Sequence, residues 1–162
     1  SEKRADPGTI TDVSKDMAEK RKIEYERDYD ILTNLYNRRA FAANMERLFE
    51  TPEVLGTAAL LMWDLDNLKF VNDNYGHDSG DRYIEAFARC LSSFLSEQSL
   101  VARRSGDEFY VFLYGYQSKE KIRQIIRKVW TQIGHTTFPL AGKDFKIRVS
   151  GAGVVPRRRL YL

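Results

Sequence analysis

Short apolar runs and helically spaced apolar residues follow one another along the chain, and together they predict alternating helices and strands. The longest apolar run, Ala58 to Trp63, has the length and character of a buried strand, and Asp64 follows it. Val101 to Arg104 and Phe109 to Tyr114 predict two more strands joined by a tight turn, in which Gly106 is best able to adopt a positive φ. These three segments are therefore expected to form part of one sheet.

The helical pattern predicts four helices beyond the N-terminal segment. They are expected over Asn37 to Glu50, Asn67 to Tyr75, Gly80 to Leu95, and from Ser118 to at least Ile133. Asn37 and Ser118 are suitable N-caps, and Thr51-Pro52 should end the first helix. His135 is expected in a polar loop without a role, and Phe145 to Val155 predicts a last strand. The resulting order, αβααββαβ, fits several mixed α/β folds, and the pattern alone leaves them open.

The N-terminal segment follows a different pattern. Ser14 to Asp28 alternates acidic and basic residues with few apolar ones, which predicts an exposed helix. A signalling linker and a solvated helix without a specific role explain this pattern equally well. Gly8 to Ser14 resembles the last strand and exit of a PAS sensor domain, a strand that could not fold alone. The expected division is a sensor exit and linker over residues 1–28 and a separate domain over residues 29–162.

The composition agrees with a soluble domain. Its 162 residues suffice for one core of ordinary size, and 43% hydrophobic with 30% charged residues argue against overall disorder. No apolar run approaches the length of a membrane span, and the polar N-terminus does not resemble a signal peptide. The single Cys90 allows no internal disulfide and is expected to be a buried thiol. These features predict a cytoplasmic domain, and a net charge of +3 suits an anionic ligand without indicating DNA or RNA.

Two acidic clusters carry the candidate chemistry. Asp64 follows the first strand, and Asp107 lies at the turn of the predicted hairpin. If the hairpin pairs beside the first strand, the two carboxylates converge at one rim, where they repel each other and favour a cation. Hard oxygen ligands select Mg²⁺, usually together with substrate phosphates. A helix-capping role for Asp64 and a turn role for Asp107 are the structural alternatives.

Three sequence motifs stand in order along most of the chain. They are Asp30 to Arg39, then Asp64 to Asp73 followed by Gly76-His77 and Gly80-Asp81, and finally Ser105 to Phe109. Together they resemble the GGDEF domain family, the diguanylate cyclases, over roughly Asp28 to Val155. Asn34 and Ser105 depart from the family, which has glycine at both positions. The resemblance implies an α/β (α+β) fold with a palm-like, ferredoxin-related, mostly antiparallel sheet flanked by helices and preceded by a linker helix.

The resemblance also implies a metal and catalytic site at the acidic clusters. Asp64 and Asp107, with the backbone carbonyl of Leu65, would bind Mg²⁺ or Mn²⁺. Asp107 would also accept a proton, and Glu108 and Lys69 would complete the catalytic residues. Short acids on rigid strand ends suit Mg²⁺, because this ion tolerates little geometric error.

Substrate-binding residues follow from the same resemblance. Asn67, Leu68 and Lys69 form the turn into a short helix, where backbone N–H groups and the lysine charge suit phosphate oxygens. Asn72 and Asp81 would read guanine, since an aspartate accepts from its N–H groups and an asparagine can donate to a ring acceptor. His77 would either lie near the substrate or hold the turn.

The implied reaction condenses two GTP into cyclic di-GMP and releases two pyrophosphates. Each domain would hold one GTP, so a homodimer is expected, under the control of an upstream sensor. Two alternatives stay open. One is a catalytically weak GGDEF-like domain that binds GTP and regulates a partner. The other is a different nucleotidyl cyclase of palm fold, which the guanine-reading pair disfavours.

Three departures from the family pattern bear on activity. Ser105 would be strained by roughly 1 kcal/mol if its position requires a positive φ. Ser96 and Ser99 stand where the family has the Arg and Asp of a product-inhibition site, so this site is expected to be absent. The family's C-terminal helix, whose basic residues hold phosphate, is expected to be cut short, because Val155 is followed only by Pro156 to Leu162.

Overall fold

The computed structural model of the protein describes residues 7–154. The helices are α1 Pro7–Asp28, α2 Arg38–Phe49, α3 Pro52–Leu55, α4 Leu68–Tyr75, α5 His77–Phe94 and α6 Lys119–His135. The strands are β1 Thr57–Leu65, β2 Ser99–Ser105, β3 Glu108–Tyr116, β4 Thr137–Leu140, β5 Lys143–Lys146 and β6 Val149–Val154. Val155 to Leu162, and with them the expectation about the C-terminal helix, lie outside the described residues.

A four-stranded sheet forms the centre of the fold. Its strands stand in the order β2-β3-β1-β6, and every neighbouring pair is antiparallel. Trp63 of β1 lies opposite Phe109 of β3 on one side and opposite Gly151 of β6 on the other. Strands β4 and β5 pair with each other as a separate two-stranded sheet. A mainly antiparallel sheet flanked by helices confirms the predicted fold class.

The two faces of the sheet are covered differently. On one face, Leu61, Trp63 and Leu65 are at most 3% exposed and pack with apolar residues of α5 and α6. On the other face, Phe41 of α2 packs over the half of the sheet nearer the start of β1. Met62, near the end of β1 on this second face, is 47% exposed. Among residues 7–154, this face is therefore open at the carboxyl end of β1.

Gly151 lets β6 lie close to the buried Trp63. A Cβ atom at position 151 would lie 2.0 Å from Cδ1 of Trp63 and 2.8 Å from the carbonyl oxygen of Met62. Trp63 is 2% exposed, and its ring packs edge-on against Trp130 of α6 with 6.0 Å between the ring centroids. A glycine in this strand thus leaves room for the indole that fills the core between the sheet and α6.

The N-terminal segment corrects one prediction and confirms another. The strand expected over Gly8 to Ser14 is wrong, because these residues lie within α1. A helix satisfies its own backbone hydrogen bonds, whereas an isolated strand leaves them unpaired. The exposed helix over Ser14 to Asp28 is confirmed, while the likeness to a PAS exit is not, and the boundary at residue 28 stays a prediction. Across residues 7–154, no helix has both the length and the apolar character to cross a membrane.

Several element boundaries also differ from their predictions. The strand expected over Phe145 to Val155 is interrupted between β5 and β6, and the β4–β5 hairpin was not predicted. Ile147 lies in the gap with 2% exposure, and its N–H donates to the carbonyl of Thr136, so burial of this side chain separates the two strands. Helix α5 begins at His77 rather than Gly80, and His135 ends α6 instead of lying in a loop.

Candidate active site

The carboxylates of the two acidic clusters meet at one rim of the sheet. Asp64 of β1 lies directly opposite Glu108 of β3 in the antiparallel register. The N–H of Leu65 donates to the carbonyl of Asp107 with 2.8 Å between the nitrogen and the oxygen, which brings the hairpin turn to the end of β1. Gly106 forms this turn with a φ of 39°, as its predicted role requires. The structure thus brings together the two acids that the sequence places apart.

The electrostatics of the rim favour a bound cation. Asp64 is exposed, yet partial desolvation by the surrounding protein raises the pKa of its carboxyl, and the nearby charges of Asp107, Glu108 and Asp66 raise that pKa further. Each of these causes penalises the ionised form of Asp64 in the free protein. A cation placed between the carboxylates would reverse the penalty, because opposite charge favours ionisation.

The donor set fits a hard divalent ion that shares its ligands with a substrate. Within residues 7–154, no group of three or more His, Cys, Asp or Glu side chains is arranged to hold a metal. Asp64 and Asp107 supply two carboxylates, and Leu65, whose N–H donates to the Asp107 carbonyl, directly follows Asp64. Mg²⁺ is commonly bound by one or two carboxylates, with water and substrate phosphates completing its octahedron. The residues present therefore fit such an ion, provided that the nucleotide supplies the remaining oxygens.

Glu108 is held in place by its neighbours on the hairpin. Nη1 of Arg104 lies 2.8 Å from Oε2 of Glu108, and the hydroxyl of Ser105 donates to the same oxygen at 3.3 Å. The Arg104 guanidinium also lies over the Tyr110 ring, with 5.6 Å between its central carbon and the ring centroid. Glu108 consequently has one oxygen occupied by protein contacts, in contrast to Asp107, which is exposed at the turn.

The condition under which Ser105 would be strained, a positive φ at this position, is not met. Among the described residues, the non-glycine residues with positive φ are Asn34, Asn67 and Ala141. Ser105 is the last residue of β2, and the positive φ that the turn requires is adopted by Gly106. An irregularity in the register between Arg103 and Ser105 absorbs the geometry of the turn.

The loop from β1 to α4 places the predicted phosphate-binding residues at the start of a helix. Asn67 adopts the left-handed conformation with a φ of 66°, and α4 begins at Leu68. The Asn67 side chain makes no capping hydrogen bond, so it does not occupy the N–H groups of the first turn. Lys69 is exposed in this turn. These three residues therefore lie where the sequence predicts them, next to the acidic rim.

Asp66 joins this loop to β6. Its two carboxylate oxygens accept from the hydroxyl of Ser150 at 2.9 and 2.8 Å, and its N–H donates to the carbonyl of Arg148 at 2.8 Å. The hydroxyl of the fully buried Tyr83 donates to the Asp66 carbonyl at 2.8 Å. The residue before α4 is Asn67, so Asp66 does not cap this helix and instead fixes the loop.

Asn72 and Asp81 lie on neighbouring helices that contact each other at Gly80. A Cβ atom at position 80 would lie 1.8 Å from Oδ1 of Asn72, so the Asn72 side chain occupies the space that the glycine leaves. Asp81 follows Gly80 on α5 and is exposed, and His77 is the exposed first residue of the same helix. The packing of α4 on α5 thus places Asn72 beside the Gly80-Asp81 pair.

Arg103 is a residue that sequence reasoning missed. Its Nε donates to the carbonyl of Gly106 at 2.9 Å, and its Nη1 lies 3.4 Å from both carboxylate oxygens of Asp30. Asp30 in turn accepts from the N–H and the hydroxyl of Thr33. The first motif therefore supports the turn that carries Asp107. The charge of Arg103 inside a predicted strand is the signal that could have indicated this role.

Ser96 and Ser99, at the positions where an inhibitory site is predicted to be absent, make local contacts. The Ser96 hydroxyl lies 3.1 Å from the Tyr116 hydroxyl, and the Ser99 hydroxyl donates to the Ser96 carbonyl. Neither side chain carries a charge for a phosphate-rich ligand.

Asn34 occupies the other position where the family has glycine, and it adopts a φ of 59°, a conformation that asparagine tolerates well.

Comparisons with known proteins identify what the chain is similar to. A profile of the family described as "Diguanylate cyclase, GGDEF domain" matches residues 27–158. The chain is 38% identical over 112 residues to the diguanylate cyclase DgcN of Escherichia coli (strain K12), covering 69% of the chain and 27% of DgcN. It is 32% identical over 129 residues to the cyclic di-GMP phosphodiesterase PdeB of Shewanella oneidensis, covering 78% of the chain and 15% of PdeB.

A solved structure gives the same picture. A sensory box/GGDEF family protein from Caulobacter crescentus CB15 aligns with a TM-score of 0.67 and 28% sequence identity. This alignment covers 79% of the chain and 83% of the Caulobacter protein. The chain spans well under two thirds of both curated relatives, so their whole activities do not transfer to it directly.

Proposed function

Because the chain belongs to the GGDEF domain family, we propose that it is a diguanylate cyclase domain. It condenses two GTP into cyclic di-GMP and releases two pyrophosphates. The observation that carries this proposal is the group of carboxylates at the end of β1, where Asp64 faces Glu108 beside the turn of Asp107. Acids fixed on a rigid sheet suit phosphoryl transfer, in which positioning and electrostatic stabilisation supply most of the catalysis.

The reaction needs a proton acceptor at each attacking hydroxyl, and we assign this role to Asp107. The 3′-oxygen of one GTP attacks the α-phosphorus of the other, the bond from that phosphorus to pyrophosphate breaks, and the hydroxyl proton moves to a carboxylate. Asp107 is the acceptor we assign, because it is exposed at the turn whereas an oxygen of Glu108 is engaged by Arg104. Glu108 contributes its negative charge to the same rim.

Asp64, Asp107 and the carbonyl of Leu65 are the groups that would hold Mg²⁺ or Mn²⁺. When bound, such an ion neutralises phosphate charge and lowers the pKa of the attacking hydroxyl. The phosphates bind at the first turn of α4. Lys69 supplies a positive charge there, and the backbone N–H groups that follow Asn67 supply hydrogen-bond donors for the anionic oxygens.

Guanine is read by Asn72 and Asp81. The carboxylate of Asp81 accepts from the N1–H and the 2-amino group of guanine, and the Asn72 amide donates to a ring acceptor. Adenine lacks this arrangement of donors, so it would leave Asn72 and Asp81 without these partners in the complex. The position of Asn72 against Gly80 supports this assignment, because its amide packs on the residue that directly precedes Asp81. We expect GTP to bind at least about tenfold more tightly than ATP.

The chemistry requires two domains. Each domain binds one GTP, and the attacking hydroxyl of each nucleotide must reach the phosphate of the other. We therefore propose a homodimer in which an upstream sensor acts through the exposed helix α1, in the cytoplasm, where GTP is available. DNA and RNA have no role in this scheme.

A second candidate function is a GTP-binding domain that regulates a partner without making product. The similarity to a protein named as a phosphodiesterase supports it, because that relative combines a matching segment with a different activity. Both functions use the same nucleotide site, and they differ in whether the bound GTP is converted to product.

Incubation of the full-length protein with GTP and Mg²⁺, followed by chromatography of the products, tests the proposal. We expect cyclic di-GMP from the wild type and none from Asp64→Asn or Asp107→Asn. Glu53→Gln is the matched control, because Glu53 is an exposed acid in α3, outside the rim. GTP binding by the wild type without product, even when it is forced to dimerise, would favour the regulatory function.

A further inference from the structure

A cavity of about 440 Å³ opens beside the loop from β1 to α4. The residues that line it are Asn67, Phe70, Asp144, Phe145, Lys146 and Arg148. Phe70 and Phe145 form an aromatic wall, with nearly parallel rings whose centroids lie 6.5 Å apart. Two cations and one acid line the remaining surface, so the cavity carries a net positive charge next to the residue that begins α4.

The backbone of Arg148 is fixed relative to this loop. Its N–H donates to the hydroxyl of Tyr83 at 3.2 Å, and its carbonyl accepts from the N–H of Asp66 at 2.8 Å. Tyr83 is fully buried and Asp66 directly precedes Asn67, so the position of Arg148 beside the loop is set by the core of the domain. Its side chain is exposed and lines the cavity.

Neither of the two cationic side chains of the cavity, Lys146 and Arg148, forms an ion pair with another residue in the described part of the chain. Among residues 7–154, the ion pairs involve other arginines and lysines, and no carboxylate lies within ion-pair distance of Arg148 or Lys146. This includes Asp144, which lines the same cavity. An arginine on a fixed backbone, with no acid to neutralise it, is suited to bind an anion through paired N–H donors.

We propose that Arg148, assisted by Lys146, binds the terminal phosphates of the nucleotide in this cavity. The inference rests on the proposed function, since it concerns the same nucleotide site. Asn67 lines the cavity and also begins the phosphate-binding turn, so a triphosphate held at that turn extends its last phosphates towards the two cations. Arg148 thereby distinguishes a nucleoside triphosphate from a monophosphate, which is too short to reach it.

Calorimetry with the full-length protein and three probes, GTP, GMP and inorganic tripolyphosphate, tests the inference. We expect Arg148→Gln to weaken GTP and tripolyphosphate binding at least about tenfold and to leave GMP binding unchanged. Arg148→Lys should recover part of the affinity, because it keeps the charge but loses the paired donors. Lys143→Ala is the matched control, because Lys143 lies on β5 but does not line the cavity.

The outcomes separate this inference from the proposed function. If the wild type binds GTP and Arg148→Gln binds it as tightly as Lys143→Ala does, the inference is overturned and the proposed function stands. An equal loss for GTP and GMP also overturns it, since the arginine would then act on the nucleoside or on the fold. If the wild type binds tripolyphosphate through Arg148 but does not bind GTP, the anion site stands and the proposed function fails.

Discussion

Replacing Gly80 with alanine tests whether the position of the Asn72 amide governs nucleotide binding. The added Cβ would lie 1.8 Å from Oδ1 and 2.8 Å from Cγ of Asn72, so the amide must move by roughly 1.5 to 2 Å to restore van der Waals contact. Asn72 is partly exposed on α4, and its side chain can turn towards solvent without disturbing the core. The substitution therefore removes the amide from the site while leaving the helices in place.

Two opposing terms set the effect on stability. Alanine in a helix interior is favoured over glycine by roughly 0.5–1 kcal/mol. Crowding of a packed position costs about 1–3 kcal/mol. The free energy of unfolding should therefore fall by no more than about 2.5 kcal/mol, which leaves a typical domain folded. Loss of the proposed Asn72 hydrogen bond to guanine should cost about 1–3 kcal/mol of binding, or about 5- to 150-fold in GTP affinity.

Calorimetric titration with GTP and thermal unfolding are measured together for Gly80→Ala. Gly134→Ala is the control, because a Cβ at this position of α6 meets no atom within 4 Å. The control should be slightly more stable than the wild type and should bind GTP equally well. If Gly80→Ala is folded and binds GTP with wild-type affinity, Asn72 does not contact the nucleotide and the guanine assignment fails.

Three further predictions concern packing, protonation and feedback. Gly151→Ala should lower the free energy of unfolding by about 1–3 kcal/mol, because the added Cβ would overlap the ring of Trp63. Denaturant titration measures this change, and an unchanged midpoint would contradict the close packing. Because the pKa of Asp64 is raised in the folded state, its ionisation lowers stability as the pH rises above about 4. With a metal chelator present, the Asp64→Asn variant should therefore melt at a higher temperature than the wild type at about pH 7 but not at about pH 3. If the two proteins melt at the same temperature at about pH 7 as well, the argument from desolvation and repulsion is refuted. Since Ser96 and Ser99 carry no charge, cyclic di-GMP should show no micromolar binding once a GTP analogue fills the active site, and calorimetry would reveal such binding if it occurs.

The elements that sequence predicts well are those with a local physical cause. The side chain of Asn37 accepts from the N–H of Ala40, and that of Ser118 accepts from the N–H of Lys121, as expected of N-caps. The apolar run from Ala58 forms β1 with Ala59, Leu61 and Trp63 buried on one face, and Cys90 is buried as predicted. Capping and burial depend on the residues themselves, so a local pattern suffices to find them.

Other elements depend on partners that a local pattern does not contain. The gap before β6 falls at the buried Ile147, which no local break in the sequence indicates. Ser105 escapes strain because the irregular register of β2 leaves the positive φ to Gly106. These outcomes are set by tertiary packing, which overrides local propensity in short segments.

Long-range polar contacts explain why a rim of like charges is compatible with a stable fold. Repulsion among the carboxylates would push the turn of Asp107 away from β1, yet Arg103 holds that turn and pairs with Asp30, 73 residues earlier in the chain. On the other side, Ser150 binds the carboxylate of Asp66 across a separation of 84 residues. Both loops are therefore held by groups outside the acidic clusters, and these contacts do not engage the carboxylates of Asp64 and Asp107, which we propose as metal ligands. Such preorganisation favours the charged state that forms on binding, because the protein does not have to reorganise when the ligand arrives.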